Sequence, residues 1–313
     1  MESYVERPPT PALARVVRTI WIHRTGDAPY VQRHLPTGGV EIHVPLGGQP
    51  RLMGPLTGPR LEVIPPHTTI VGARFLPAGA PPLPVMLDEL VDENVGLSEV
   101  WGGSAERLGE AMALSGRDER AVAVLEAFLL GEFRAAERID RAIREAVSAL
   151  MPWRPHDVGA VAAHVALSES QLRRRSLHTV GLSPKVLQRT LRFQGFLALA
   201  QAGVAASGRR GSDGIAGIAV DAGYADQAHL NRECLRLTGL TPSRLLHGDV
   251  ERCACGHDHS ASYLPFLASR SPGLTPVSEL FRIRHDPKVV DGPDDAVRDN
   301  DGEDASLTGG DES

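Results

Sequence analysis

Two arrays of side chains in this chain have the types and spacing to do chemistry. The first is Ser170, Arg173 and Arg174, echoed further along by Gln227, Ala228, Asn231 and Arg232. An arginine can bond both acceptors on the major-groove edge of guanine, and Gln or Asn can grip adenine in the same two-point way. Arg175, Lys185, Arg189 and Arg192 lie beside this array and suit phosphate or structural contacts. The second array is Cys253, Cys255, His257 and His259, which alternate through CACGHDH. All four are zinc ligands by type, but common structural sites place at least two residues between paired cysteines. An exposed Cys/His stretch explains the segment as simply, so these four stand only as weak metal candidates and no cofactor is expected. His34, Glu41 and His43 are a third set, and Glu41 and His43 share a face if their segment is a strand. Further ligands for them are not evident. Without a Gly-rich phosphate loop, a nucleophile elbow or a catalytic constellation, no enzymatic activity is expected.

The first array must be held by helices. In 215–246 apolar residues fall at Ile215, Ile218, Ala219 and Ala222, the spacing of one helix face. Gly223 permits a tight turn. Asp226 can cap the next helix, and Gly239 ends it before Thr241 and Pro242 start another. The same pattern occurs earlier. Val158, Val161, Ala162 and Val165 precede their counterparts by 57 residues, whereas Leu172, Arg174, Leu177 and Gly181 precede theirs by 58. The extra residue falls in the turn, where an insertion is tolerated. Ser168 is the matching cap. The repeat indicates two copies of one helix–turn–helix unit. Leu172, Leu177, Leu230 and Leu235 have core or supporting spacing. Between the copies, 184–201 reads as a helix with Phe193, Phe196, Leu197 and Ala200 on its buried face. The segment 202–214 reads as a loop.

Upstream, the Pro- and Gly-rich first hundred residues contain strand-like runs at 20–23, 40–46 and 69–75. Helices are expected at 105–114, capped by Ser104, at 117–129 and at 134–150, and MPWRP at 151–155 marks a boundary. After Gly248 the chain reads as irregular. The expected fold class is α+β. A β-rich sensor or dimerisation domain (1–110) and a helical linker (111–153) lead into an all-α double helix–turn–helix domain (154–248). A Cys/His segment and disordered acidic tail (249–313) follow.

The 313 residues carry a net charge of −6, which at first disfavours a nucleic-acid partner. Its distribution reverses that. Residues 151–250 hold 12 Lys and Arg against 7 Asp and Glu, while residues 285–313 hold 2 against 10. Negative charge is concentrated in the tail, and the repeat is basic. No apolar run is long enough for a membrane span. With three cysteines and no apolar leader, a cytoplasmic protein is expected.

The second copy, IAGIAVDAGYADQAHLNRECLRLTGLTPSRLL, resembles the signature of the AraC/XylS transcription regulators. The first copy, VAAHVALSESQLRRR with GLSPK, is similar to that family's more variable partner unit, and Arg192 in TLRFQ matches the arginine of its connecting helix. The resemblance covers about residues 156–247. It implies two helix–turn–helix subdomains joined by a helix, with sequence-specific binding of double-stranded DNA. Two departures stand out. Ser176 and Cys234 occupy positions where the family has a large aromatic, and the loop after Gln201 is longer. Three N-terminal pieces, YVERPPTPALARVV, HLPTGGVEIHVPL and VGARFLPAGA, more weakly resemble a β-rich domain of some of these regulators. Candidate partners besides DNA are a small-molecule effector at the N-terminal domain and a second copy in a homodimer, with no membrane. The competing reading is a metal- or redox-responsive sensor, or a metal-dependent enzyme domain fused to a DNA-binding module.

Overall fold

A computed structural model describes residues 2–135, 140–154, 157–207, 214–247 and 259–270. The chain begins with strands β1 (Ser3–Arg7), β2 (Val17–Arg24), β3 (Tyr30–His34), β4 (Glu41–Pro45), β5 (Arg51–Met53), β6 (Arg60–Ile64) and β7 (Thr69–Phe75). A 3-10 turn, Leu87–Leu90, and the short β8 (Asn94–Gly96) follow. Six strands form one sheet in the order β1-β2-β7-β4-β5-β8, and β3 and β6 form a separate two-stranded ribbon; every pairing is antiparallel. The strand-like runs expected at 20–23, 40–46 and 69–75 are the central β2, β4 and β7.

Period-two alternation gives the large sheet two unlike faces. Ile20, Ile22, Ile42, Val44 and Val71 point into an apolar core. Over that core lie α1 (Leu97–Trp101), α2 (Gly103–Ala113) and α3 (Asp118–Ala135). Ala121, Val122, Leu125 and Leu129 of α3 are fully buried there. The next helix, α4 (Arg141–Ala149), puts Ile143, Ala146 and Val147 into a different core. The segment expected as a linker, 111–153, is thus shared between two cores, because its apolar stripes face different partners. Ser104 does not cap α2. The helix starts at Gly103, and Ser104 Oγ accepts from Arg107 Nη2 instead.

The helical half comprises α5 (Val158–His164), α6 (Glu169–Val180), α7 (Pro184–Ser207), α8 (Ile215–Asp221), α9 (Gln227–Thr238), α10 (Pro242–His247) and α11 (Ser260–Arg270). The predicted repeat is visible in hydrogen bonds. After α5, Ala166 N donates to Ala163 O at 3.1 Å and Leu167 N to Ala162 O at 2.9 Å. After α8, Gly223 N donates to Val220 O at 2.9 Å and Tyr224 N to Ala219 O at 3.0 Å. All four positions correspond at the 57-residue offset. The inserted residue is therefore Ala225, just before the second cap. Gly223 holds φ +85°, while Ala166 holds φ +55° at the same place without being glycine.

Helix α7 belongs to both copies. Leu187 and Leu191 near its start pack with Val161, Leu172 and Val180. Phe193, Phe196 and Ala200 pack with Ile218, Leu230 and Cys234. Burying each phenylalanine contributes about 1.5–3 kcal/mol. The helix runs six residues past the predicted end at 201. With 24 residues it is about 36 Å long.

The chain is not irregular throughout its C-terminal part. Helix α11 lies against α7 and against β1 and β2. Its Phe266 is buried with Ile143, Leu150 and Leu187, and Trp153 Nε1 donates to Phe266 O at 3.1 Å. Cys253, Cys255 and His257, together with the predicted acidic tail, lie outside the described residues.

Candidate nucleic-acid interface

Each of α6 and α9 is fixed at both ends. Ser168 Oγ accepts from Gln171 N at 3.2 Å, and Gln171 Oε1 accepts from Ser168 N at 2.9 Å, a reciprocal capping box. Asp226 Oδ1 accepts from His229 N at 2.6 Å. At the far ends, Gly181 (φ +78°) and Gly239 (φ +72°) adopt the left-handed conformation and close the helices onto Leu177 O and Leu235 O. Capping of this kind is worth about 1 kcal/mol per helix.

Between the caps, each helix buries one stripe and exposes the other. Leu172, Ser176 and Val180 are buried on α6, and Leu230, Cys234 and Leu237 on α9. The two small residues in these stripes leave no polar atom stranded. Ser176 Oγ donates to Leu182 O at 2.6 Å, and Cys234 Sγ lies 3.7 Å from Thr238 Oγ1. Burial pushes the Cys234 thiol up to about 11, so it is un-ionised at neutral pH.

On the opposite stripes, Ser170, Arg173 and Arg174 of α6 are exposed, as are Gln227, Ala228 and Arg232 of α9; Asn231 is partly exposed. Leu235, expected as a supporting residue, is 48% exposed and extends the α9 stripe, one turn beyond Asn231 and Arg232. Its periodicity is shared by core and surface, so spacing alone did not separate the two. Of the flanking cations, Lys185 is exposed. Arg175 is held by Asp140 through two bonds of 2.8 and 2.6 Å. Arg189 Nε donates to Glu233 Oε2 at 2.6 Å, and the Arg192 guanidinium lies 5.7 Å from the centre of the Tyr224 ring. Those three arginines thus brace the domain in this structure: Arg175 ties α6 to the cap of α4, and Arg189 ties α7 to α9.

A second polar cluster sits where β1, β2, β4 and β7 meet α11. The register between β2 and β7 shifts between Val17 and Thr19, which makes Arg18 an extra residue. A bulge re-aims a side chain. Arg18 is buried, with Nε donating to Ser262 O at 2.5 Å and Nη2 to Gln194 Oε1 at 2.9 Å. Glu6 Oε2 accepts from Ser262 N in the first turn of α11 at 3.0 Å, so a strand residue caps a helix more than 250 positions away. Glu6 Oε1 also meets Arg74 Nη1 at 2.9 Å and His259 Nδ1 at 2.8 Å. Of the four Cys/His candidates, His259 is thereby engaged with Glu6 and with the Tyr4 ring, 5.0 Å away. Arg74 Nε donates to Glu41 Oε1 at 2.8 Å. Burial alone would raise the Glu6 and Glu41 carboxyls. His259 and Arg74 around Glu6, and above all Arg74 beside Glu41, hold both well below the usual carboxylate range.

Two capped helices, each with a buried apolar stripe and an exposed polar one, pack on a common spacer, an arrangement of the helix–turn–helix kind. Residues 161–248 match the family model described as a helix-turn-helix domain. That stretch is a helix-turn-helix domain of the AraC type, the kind of domain with which transcription regulators bind DNA. Residues 5–96 match a domain of unknown function (DUF6597). Among curated proteins, none matches the chain. Solved structures of ToxT from Vibrio cholerae are similar in outline. The structure from O395 is 12% identical, covering 74% of this chain and 97% of that one at a TM-score of 0.39. The wild-type protein of strain SCE256 with bound unsaturated fatty acid is 11% identical, covering 79% and 94% at 0.38. No helix among the described residues is long and apolar enough to cross a membrane.

Proposed function

We propose that this regulator reads DNA sequence with both helix pairs, inserting α6 and α9 into adjacent turns of the major groove. The observation that carries the reading is the matched exposure of Ser170, Arg173 and Arg174 on α6 and of Gln227, Ala228 and Arg232 on α9, beside partly exposed Asn231. These residues read base edges. Arg173, Arg174 and Arg232 suit guanine, Gln227 and Asn231 suit adenine, and Leu235 offers an apolar surface to a thymine methyl. Lys185 contacts phosphate and fixes register. Arg175, Arg189 and Arg192 act through Asp140, Glu233 and Tyr224 to set the helix positions, and reach phosphate only by leaving those partners. A 36 Å spacer helix is commensurate with the roughly 34 Å between successive major-groove faces.

The β-rich unit is the sensing part in this account. A cavity of about 120 Å³ between it and α7, α10 and α11 is lined by Arg18, Gln32, Arg74, Gln194 and Tyr263. That volume is below the range of about 300 Å³ and upward usual for ligand pockets, so a small-molecule effector larger than a few atoms requires it to widen. Fluorescence anisotropy of labelled duplex DNA against salt concentration tests the DNA-binding reading. The logarithm of affinity falls linearly with the logarithm of salt, and Lys185→Ala lowers that slope by about one without changing sequence preference. Salt-independent binding contradicts it.

A further inference from the structure

Three residues on three strands of the β-rich unit meet between its two sheets. His34 and Glu62 lie on the ribbon. His34 pairs with Arg60 across the β3–β6 ladder and Gln32 pairs with Glu62, so His34 and Glu62 are diagonal neighbours on one face. Their side chains touch, with His34 Nε2 and Glu62 Oε2 2.9 Å apart. His43 comes from β4 in the large sheet and faces them, its ring centre 5.2 Å from that of His34. One ligand atom from each of the three residues lies within 4.8 Å of the other two.

His43 supplies the second, independent observation. Its side chain is 5% exposed, and its Nε2 makes no hydrogen bond, the nearest carboxylate oxygen being Glu41 Oε2 at 3.5 Å. Glu41 is already committed to Arg74. A buried ring nitrogen without a bond is costly unless something else satisfies it. Burial keeps His43 in its neutral form, the form that ligates a metal, though Glu41 opposes that shift. The hydrogen bond from His34 holds the Glu62 carboxyl below its ordinary range, so it is ionised.

We propose that His34, His43 and Glu62 bind one divalent transition-metal ion of the zinc class. Two imidazoles and a carboxylate form a donor set suited to such ions and leave a further position open. Ligand atoms of a tetrahedral zinc site lie about 3.3 Å apart, so small side-chain rotations close the remaining gap. The ion ties the ribbon to the large sheet. Arg33, next to His34, reaches Thr238 at the end of α9, so ribbon position is felt by a DNA-facing helix. This site uses Glu62, not Glu41, as its carboxylate, and is separate from the Cys/His segment at 253–259. It stands independently of how α6 and α9 meet DNA.

The test uses the full chain carrying Cys253→Ser and Cys255→Ser, freed of metal by a chelator and titrated with zinc against a chromophoric competitor. One equivalent binds, and zinc raises the melting temperature. Cobalt(II) gives the visible ligand-field absorption of a low-coordinate N/O site. His34→Gln and Glu62→Gln are chosen because each replaces one polar ribbon side chain, 10% and 30% exposed, with another polar one. Each retains a cooperative melt and weakens binding by more than about tenfold. Absence of saturable binding overturns the proposal, as does equal affinity in parent, His34→Gln and Glu62→Gln chains, or loss of all binding in the Cys253→Ser, Cys255→Ser chain.

Discussion

Arg33 Nη1 donates to the carbonyl oxygen of Thr238 at 3.0 Å, joining ribbon strand β3 to the last turn of α9. A cation at a helix C-terminus meets both an unpaired carbonyl and the negative end of the helix dipole. Replacing Arg33 with Met keeps the aliphatic stem and removes the donor. We expect a loss of about 1–2 kcal/mol, measured as a lower urea midpoint at unchanged slope. An unchanged midpoint shows the contact to be energetically idle.

The helix-ending glycines distinguish how tightly the β-rich unit meets each copy. A Cβ on Gly181 lies 2.7 Å from Leu87 O and 2.8 Å from Pro55 Cγ, whereas one on Gly239 has Arg33 Nη1 at 3.7 Å as its nearest neighbour. Both residues hold positive φ, so alanine costs about 1–2 kcal/mol of backbone strain at either. Only Gly181→Ala adds a clash with backbone. Thermal melts therefore rank Gly181→Ala well below Gly239→Ala. Equal melting temperatures contradict the contact between Gly181 and the 3-10 turn.

Acid sensitivity follows from the polar cluster beneath α11. Glu6 and Glu41 are held below their unfolded-state pKa, so their contribution is present above the ordinary carboxylate range of about 4.3 and is lost progressively as pH falls below it toward their depressed folded-state values. His43 is also depressed, by burial, and its contribution fades as pH falls below about 6.5. Both effects run in one direction, toward instability in acid. Arg74→Met removes the cation shared by Glu6 and Glu41 and costs about 3–5 kcal/mol at neutral pH. The deficit shrinks on mild acidification, when the orphaned carboxylates take up protons. Denaturation of both chains at pH 7 and 5 checks this, and a deficit that grows in acid refutes it.

The helical half was legible because its determinants are local. Apolar spacing, Ser168 and Asp226 as caps and the glycines after each helix act within a few residues of one another. Even the offset of 57 becoming 58 pointed to the turn where Ala225 is inserted. The contacts that the chain order hides were not legible. The cap of α11 is Glu6, on the first strand, and no local pattern announces it. Arg18 lies outside the strand expected at 20–23, and no local pattern shows that a bulge turns it toward Gln194. His34 and His43 were visible as a pair. The carboxylate beside them was not, because Glu62 joins them only through the β3–β6 pairing. Ala166 illustrates the reverse: the first copy makes the same turn as Gly223 without the residue that signals it.

The central claim, that both α6 and α9 read sequence, is tested most directly by selecting bound duplexes from a random library with the parent chain, Arg174→Ala and Arg232→Ala. The account predicts a two-part motif with its halves about one helical turn apart. Each substitution relaxes preference in a different half and costs about 1–3 kcal/mol on the preferred site. Recovery of the parent motif, undiminished, by both variants would contradict it.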